Sequence, residues 1–200
     1  MKGKIYFAIV LVVVIGGLQF FNSHVYNTVR ASVYNTVRPL FLNGGGDSCL
    51  QDLDHMNVQY TKIDNIGQDR CPVKNAVRII NYPNTKLSAP VILSCPSAKN
   101  LALFFTDTGA RNGSTFGTYN CKTRRGSSII SEHGYGTAID ISEIDSASVQ
   151  KDWNKDTKEG ETLRNAHQSA CKRFSNVLTP DSNADHADHF HLDNGFGFGC

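Results

Sequence analysis

Residues 131–140 read SEHGYGTAID and residues 186–193 read HADHFHLD. Apolar and polar side chains alternate at the end of each stretch, a pattern that is typical of a strand with one face on a core. In both strands the apolar side chains would face the core. The opposite face would carry Asp140 in the first strand and His189, His191 and Asp193 in the second. Two adjacent strands of this kind would place Asp140 and His191 side by side. The two stretches therefore predict a sheet with a polar site on one of its faces.

Three side chains in these stretches have the chemistry of zinc ligands. Imidazole nitrogens and carboxylate oxygens suit zinc, and a catalytic zinc site typically uses three protein ligands and keeps one position for water. His133 would enter from the loop before the first strand, where Gly134 and Gly136 permit a tight turn. We therefore predict that His133, Asp140 and His191 bind one Zn²⁺ ion.

The clustering of histidines favours a metal site over unrelated polar positions. Three of the seven histidines lie within residues 186–193, and acidic residues flank them. The histidines at 24, 55 and 167 have no such neighbours. We expect no role in chemistry for those three.

The rest of the chain predicts helices beside a small antiparallel sheet. A helix is expected from about Ser97 to Gly109, and a second from about 161 to 178, where apolar residues recur every three or four positions. Short apolar runs at 77–80, 91–93 and 138–141 predict strands. With 200 residues, 40% of them hydrophobic, the chain is long enough for one domain with a core. We therefore predict a single, disulfide-stabilised α+β domain with flanking helices and a zinc site on its sheet.

The charge balance argues against a nucleic-acid partner. The formal net charge is +2 at pH 7, and the basic residues are scattered along the chain. Proteins that bind nucleic acid present a basic patch or stripe to the phosphates. The sequence leaves the oligomeric state open.

The six cysteines all follow the N-terminal apolar segment, and their even number predicts up to three disulfides in an oxidising compartment. Each disulfide would contribute roughly 2–4 kcal/mol to stability. A cysteine zinc site is the competing interpretation, and the absence of Cys-x-x-Cys spacing weakens it. Fifteen pairings are possible, and the sequence does not select one. The candidates are Cys49, Cys71, Cys95, Cys121, Cys171 and Cys200.

Residues 5–21 contain no charged side chain and follow a start that carries Lys2 and Lys4. This length exceeds the roughly 7–15 apolar residues of a signal peptide, and no small-residue cleavage site follows. We therefore favour an uncleaved transmembrane anchor over residues 1–24, with the two lysines in the cytoplasm and the rest of the chain outside. Cleavage of this segment would instead give a secreted protein.

A duplication follows the apolar segment. Residues 25–32 (VYNTVRAS) and 33–40 (VYNTVRPL) are nearly identical, and their valines recur every four residues as on one side of a helix. Two copies are too few for a solenoid. We interpret residues 25–47 as a stalk and linker, which leaves residues 48–200 for the folded domain.

The order of these motifs resembles the bacterial extensin-like C-terminal domain family, within the superfamily of zinc D,D-carboxypeptidases and hedgehog-type peptidases. The similarity covers about residues 48–200. It is carried by Tyr119-x-Cys121, Ser131-Glu132-His133, Gly136-x-Ala138-Ile139-Asp140-Ile141, Ala170-Cys171-x-x-Phe174, Val177-Leu178-x-Pro180 and His189-Phe190-His191-x-Asp193.

The resemblance implies a zinc-dependent peptidoglycan hydrolase that cleaves an amide bond in stem peptides or cross-links, as a carboxypeptidase or an endopeptidase. The protein would sit in the inner membrane with its domain in the periplasm or outside the cell. A metal-stabilised module that binds the cell wall without cutting it is the alternative, because a shared fold does not establish activity. Arg124 and Arg125 are candidates for gripping a substrate carboxylate, since guanidinium groups match carboxylates in shape.

The resemblance also implies that the second histidine of the His-x-His pair is the ligand, which leaves His189 as the candidate general base. Some branches of the superfamily carry a catalytic carboxylate at the position of Asp188. Strand alternation would point Asp188 away from the metal, so we favour His189. His186 and Asp188 are then candidates for contacts behind the ligands.

Overall fold

The computed structural model describes residues 23–42, 45–67, 70–197 and 199–200. The α-helices within these residues are α1 (Ser23–Val37), α2 (Gly46–His55), α3 (Cys95–Thr108), α4 (Val149–Asp152) and α5 (Lys158–Cys171). The strands are β1 (Gln59–Ile66), β2 (Val73–Asn81), β3 (Lys86–Leu87), β4 (Val91–Ser94), β5 (Asn112–Gly117), β6 (Ala138–Ile144), β7 (Ala147–Ser148), β8 (Asn176–Leu178) and β9 (Phe190–Asp193). The 3-10 helices are Arg38–Phe41, Glu132–Tyr135 and Ala184–His186.

The strands form two sheets rather than one. The smaller sheet has the order β1-β2-β4 and is antiparallel throughout. The larger has the order β3-β5-β6-β9-β8, with β7 paired to β6, and only its β3–β5 pair is parallel. The predicted single α+β domain with antiparallel pairing is therefore confirmed, although the sheet is divided in two.

Helices α3 and α5 pack together, with α3 against β2 and β4 of the smaller sheet and α5 against β7 and β8 of the larger one, so both sheets share one core. The core-facing side chains of β6 and β9, predicted from their alternation, are all buried: Ile139, Ile141, Phe190 and Leu192. Burial of a side chain of this size contributes about 1.5–3 kcal/mol relative to leaving it exposed. These buried residues fix which face of the sheet is left for polar side chains.

The predicted strands at 77–80, 91–93 and 138–141 lie in β2, β4 and β6, but the second predicted helix is too long. Helix α5 ends at Cys171, and residues 176–178 form strand β8. Val177 pairs with Leu192 in β9, and its amide donates to the carbonyl of Gly199 at 2.7 Å. Over so few residues, buried apolar positions fit a helix and a strand equally well, so the spacing alone misassigned them.

All six cysteines form disulfides, as predicted. The first pair joins α2 to the start of α3, the second joins the β1–β2 loop of the smaller sheet to the loop that follows β5 of the larger sheet, and the third joins the end of α5 to residue 200. No cysteine in the described residues is free. The pairs are Cys49–Cys95, Cys71–Cys121 and Cys171–Cys200.

Removal of the Cys71–Cys121 disulfide is expected to lower the free energy of unfolding by about 2–5 kcal/mol, because it closes a loop whose ends are 50 residues apart. Chemical denaturation of the Cys71→Ser/Cys121→Ser variant measures this effect. Peptide mapping of the unreduced wild type checks the three pairings. Any different pairing, or a thiol that reacts before reduction, would contradict this prediction.

Residues 23–42, which from residue 25 onward were predicted as a stalk, contain helix α1 and the following 3-10 helix, and we call them the N-terminal arm. The arm contacts the domain: the side chain of Asn35 bonds the carbonyl of Ser128 and the amide of Ile130. Ala31 and Arg38 are buried. The predicted membrane anchor, residues 5–21, lies outside the described residues. No helix among the residues described here has the length and apolar character of a membrane span.

Candidate metal centre

His133 lies in the loop of residues 131–137, which we call the metal loop. The Ser131 hydroxyl accepts from the His133 amide and begins the 3-10 helix, and Gly136 ends it in a left-handed conformation with φ of 63°. A Cβ on Gly136 would also lie 2.8 Å from a methyl group of Val73. Glycine is therefore required at this position by both conformation and space.

Asp140 and His191 lie directly opposite each other on the paired strands β6 and β9. Asp140 Oδ1 is 2.8 Å from His191 Nδ1, and Asp140 Oδ2 is 3.1 Å from His133 Nε2. The two imidazole nitrogens, His133 Nε2 and His191 Nδ1, are 3.2 Å apart. The three residues predicted as zinc ligands are thus brought together on the polar face of the larger sheet. Their ligand atoms all lie within 4.8 Å of one another, close enough to hold one metal ion.

The outer nitrogens of the two histidines decide which atoms face the centre of the cluster. His133 Nδ1 donates to the carbonyl oxygen of Thr118 at 2.7 Å, and His191 Nε2 donates to Asp193 Oδ2 at 3.0 Å. In neutral imidazole the inner nitrogen then carries a lone pair. Two lone pairs and a carboxylate converge, and such a donor set repels itself unless a cation lies between. The residues therefore fit a zinc ion.

Asp193 is a residue to which sequence reasoning assigned no role. It is buried, and it accepts hydrogen bonds from Asn176 Nδ2 at 2.7 Å and from the Gly195 amide at 2.6 Å. These donors hold the carboxylate against His191, and a histidine ligand held in this way keeps its ring orientation. Two signals in the sequence marked it: strand alternation placed Asp193 on the polar face with His191, and it closes the motif His189-Phe190-His191-x-Asp193.

The electrostatics of the cluster favour a positive charge at its centre. Burial raises the pKa of Asp140, but hydrogen bonds with His133 and His191 outweigh it and bring the pKa well below the usual range. Burial lowers the pKa of His191, but hydrogen bonds with Asp140 and Asp193 outweigh it and raise the pKa to about 9. Either a proton on the histidines or a bound metal ion would supply the positive charge that the Asp140 carboxylate favours.

His189 lies beside the cluster and points one nitrogen toward it. Its Nδ1 donates to Asp188 Oδ1 at 2.7 Å, so Nε2 carries the lone pair, and Nε2 is 3.5 Å from Asp140 Oδ1. The His189 side chain is 13% exposed, whereas that of Asp188 is 46% exposed. The rings of His186 and His189 are 5.3 Å apart. His189 thus places a nitrogen 3.5 Å from one of the predicted ligands. His186 bonds Asn183 through its Nδ1, and its ring lies 5.6 Å from that of His191.

These side chains open into a cleft of about 680 Å³, and both predicted substrate-binding arginines lie on its wall. Arg124 stacks on the ring of Tyr34, with its Cζ 4.9 Å from the ring centroid, and its Nη2 donates to the tyrosine oxygen at 2.8 Å. Arg125 is 83% exposed and forms an ion pair with Asp185 at 2.6 Å. The two guanidinium groups are therefore held differently.

A buried carboxylate that sequence reasoning did not single out stands next to the first ligand. Glu132 is 2% exposed and forms an ion pair of 2.7 Å with Arg38, which is 4% exposed. It also accepts hydrogen bonds from Tyr34 and from Thr137. Arg38 and Tyr34 belong to the predicted stalk, so no local pattern linked them to Glu132.

A second group of residues with metal-binding atoms lies elsewhere in the described structure. The ligand atoms of His167, Cys171 and Cys200 come within 4.8 Å of one another. Both cysteines are joined in one disulfide, so neither offers a thiolate. This group is therefore not a metal site in the oxidised protein.

Comparison with known proteins agrees with the resemblance to the extensin-like family. Residues 47–197 match the family model described as extensin-like protein C-terminus. No curated protein and no solved structure shows a significant match. Because the matched residues make up more than half of the chain, the chain belongs to the extensin-like protein C-terminal family.

Proposed function

We propose that the protein is a zinc-dependent peptidoglycan hydrolase that cleaves an amide bond in stem peptides or their cross-links. The observation that carries this proposal is the convergence of His133, Asp140 and His191, with the free nitrogen of His189 beside them. A donor set of two histidines and one carboxylate leaves a position open at a catalytic zinc ion. The same reaction class is supported by the resemblance of residues 131–140 and 189–191 to the motifs of the zinc D,D-carboxypeptidase and hedgehog-type superfamily.

His133, Asp140 and His191 would hold the metal. A bound zinc ion lowers the pKa of water to about 7 and polarises a carbonyl group. Thr118 and Asp193 keep the two histidines in the tautomers that ligation requires. Three residues would thus bind the zinc ion, and two more would keep the two histidines oriented for it.

His189 is proposed as the general base and acid. Its Nε2 takes a proton from the attacking water and returns it to the nitrogen of the leaving amine, so that the histidine ends each cycle unchanged. The Asp188 carboxylate accepts a hydrogen bond from Nδ1 of His189, which favours the His189 tautomer that has its lone pair on Nε2. Asp188 is therefore proposed as a positioning residue, and His189 as the group that moves the proton.

The cleft supplies the basis for substrate binding. Stem peptides end in carboxylates, which a guanidinium group binds through two parallel hydrogen bonds. Arg124 is the better placed of the two arginines, because stacking on Tyr34 and the nearby Glu132 carboxylate limit its motion, whereas the Arg125 side chain is 83% exposed. Arg124 is accordingly proposed as the carboxylate-binding residue.

Peptidoglycan lies outside the cytoplasm, and two features support that location. Three disulfides are typical of an oxidising compartment. The apolar residues 5–21 would anchor the chain in the inner membrane with its domain in the periplasm.

The test is mass spectrometry of purified muropeptides after incubation with the full-length protein. Cleavage should occur with zinc, stop with a chelator and return when zinc is restored. The mass released identifies the bond, since a carboxypeptidase frees one terminal residue and an endopeptidase separates two stem peptides. A protein that binds zinc and wall fragments but cleaves none would replace the enzyme with a cell-wall-binding module.

A further inference from the structure

Glu132 bonds Thr137 across the metal loop through both its main chain and its side chain. The carbonyl oxygen of Glu132 accepts from the Thr137 amide at 3.1 Å, and its side-chain Oε2 accepts from the Thr137 hydroxyl at 2.6 Å. The loop between these two residues carries His133 and leads directly into β6, where Asp140 lies. The position of His133 therefore depends on how firmly Glu132 is held, whereas Asp140 is held by the pairing of β6 with β9.

The Glu132 side chain is held mainly by Arg38. Nη2 of Arg38 lies 2.7 Å from Oε2 of Glu132, and Nε lies 3.1 Å from each carboxylate oxygen. Nη2 also donates to the carbonyl of Asn194 at 3.0 Å. Arg124 is 3.8 Å from the same carboxylate but is 42% exposed. Removing one partner of a buried ion pair strongly destabilises the folded state, because the other charge stays buried without compensation. Arg38 is therefore the main contact that holds the Glu132 side chain in place.

Arg38 lies outside residues 47–197, the part of the chain that matches the family. Tyr34, also in the N-terminal arm, donates to Glu132 and accepts from Arg124 on the wall of the cleft. The arm thus contacts both the loop that carries a metal ligand and an arginine proposed to bind substrate. A segment that served only as a spacer would need neither contact.

We propose that the N-terminal arm is a positioning element of the metal centre, and that Arg38 is its positioning residue, acting through Glu132 on the metal loop. The proposal rests on the proposed function only in requiring that the site binds zinc. It makes the zinc site sensitive to the position of the segment that joins the domain to residues 1–22. Displacement of the arm would remove the counter-ion of Glu132 and loosen the loop that carries His133.

The test is the zinc affinity of full-length Arg38→Met, measured by competition with a chromophoric chelator. Loss of a group that orients a metal ligand typically weakens metal binding by about 10- to 100-fold, and we expect a change in this range. Arg38→Lys keeps the charge without the two-pronged geometry, so its affinity should fall between those of Arg38→Met and the wild type. Arg30→Met, an exposed position in α1 of the same arm, should leave zinc affinity unchanged.

A second control separates positioning from general stability. Leu101→Ala creates a cavity in the core at the middle of α3, and it should lower the melting temperature without weakening zinc binding in the folded protein. Equal losses of zinc affinity in Leu101→Ala and Arg38→Met would overturn the proposal, as would a folded Arg38→Met variant with wild-type affinity.

A further variant covers the case in which Arg38→Met does not fold. Tyr34→Phe removes only the hydroxyl group that bonds Glu132 and Arg124. Weaker zinc binding in this variant supports the proposal, and unchanged binding overturns it. The outcome is independent of catalysis: if no muropeptide is cleaved but zinc affinity depends on Arg38, the hydrolase proposal fails and the positioning role stands. A wild type that binds no zinc overturns both.

Discussion

His191→Ala is expected to weaken zinc binding by more than about 100-fold, and with it to abolish zinc-dependent activity. Changing a residue behind a ligand costs about 10- to 100-fold in affinity, so removing one of three protein ligands should exceed that range. The substitution also leaves Asp193 without the imidazole that it orients. Metal content after dialysis against limiting zinc measures the loss directly.

Thermal unfolding provides an independent measure of the same change. A ligand that binds only the folded state stabilises it by about 2.7 kcal/mol at a concentration of 100 times its Kd. The melting temperature of the wild type should therefore rise with added zinc and fall with a chelator, whereas that of His191→Ala should respond to neither. His55→Ala, an exposed position at the end of α2, is the matched control and should behave as the wild type. Stoichiometric zinc in dialysed His191→Ala would show that the metal lies elsewhere.

The strands that carry the site were predictable, because apolar and polar side chains alternate along them according to which face of the sheet is buried. Strand side chains point to opposite faces in turn, so Ile139 and Phe190 could be assigned to the core and Asp140 and His191 to the other face. The observed pairing of Asp140 with His191 follows from that alternation and from the adjacency of β6 and β9. Local sequence was sufficient where the structure depends on a local period.

The contacts behind the ligands were not predictable, because they join residues far apart in the chain. Arg38 and Glu132 are 94 residues apart, and nothing in the pattern of either segment marks them as a pair. The disulfide pairing was open for the same reason. Val177 and Leu178 show the opposite limitation, since their local pattern fitted a helix and only the pairing of β8 with β9 made them a strand.

The separation of a ligand from a base can be tested with two neighbouring residues. His189→Ala should retain bound zinc, because His189 is not one of the three proposed ligands and its Nε2 lies 3.5 Å from Asp140 Oδ1. The kcat of this variant should nevertheless fall by about 100- to 10,000-fold on any muropeptide that the wild type cleaves. Zinc content and turnover measured on the same preparation distinguish this result from the loss of metal expected for His191→Ala.

Asp188→Asn decides which of the two neighbours moves the proton. Asp188 bonds Nδ1 of His189 and is 46% exposed, so replacing it should disturb the tautomer of His189 without removing the base. We therefore expect a loss of turnover smaller than that of His189→Ala, with zinc retained in both variants. If Asp188→Asn were inactive and loaded with zinc while His189→Ala kept near wild-type turnover, the carboxylate would be the base, and the hydrogen bond between the two side chains would have to break during catalysis.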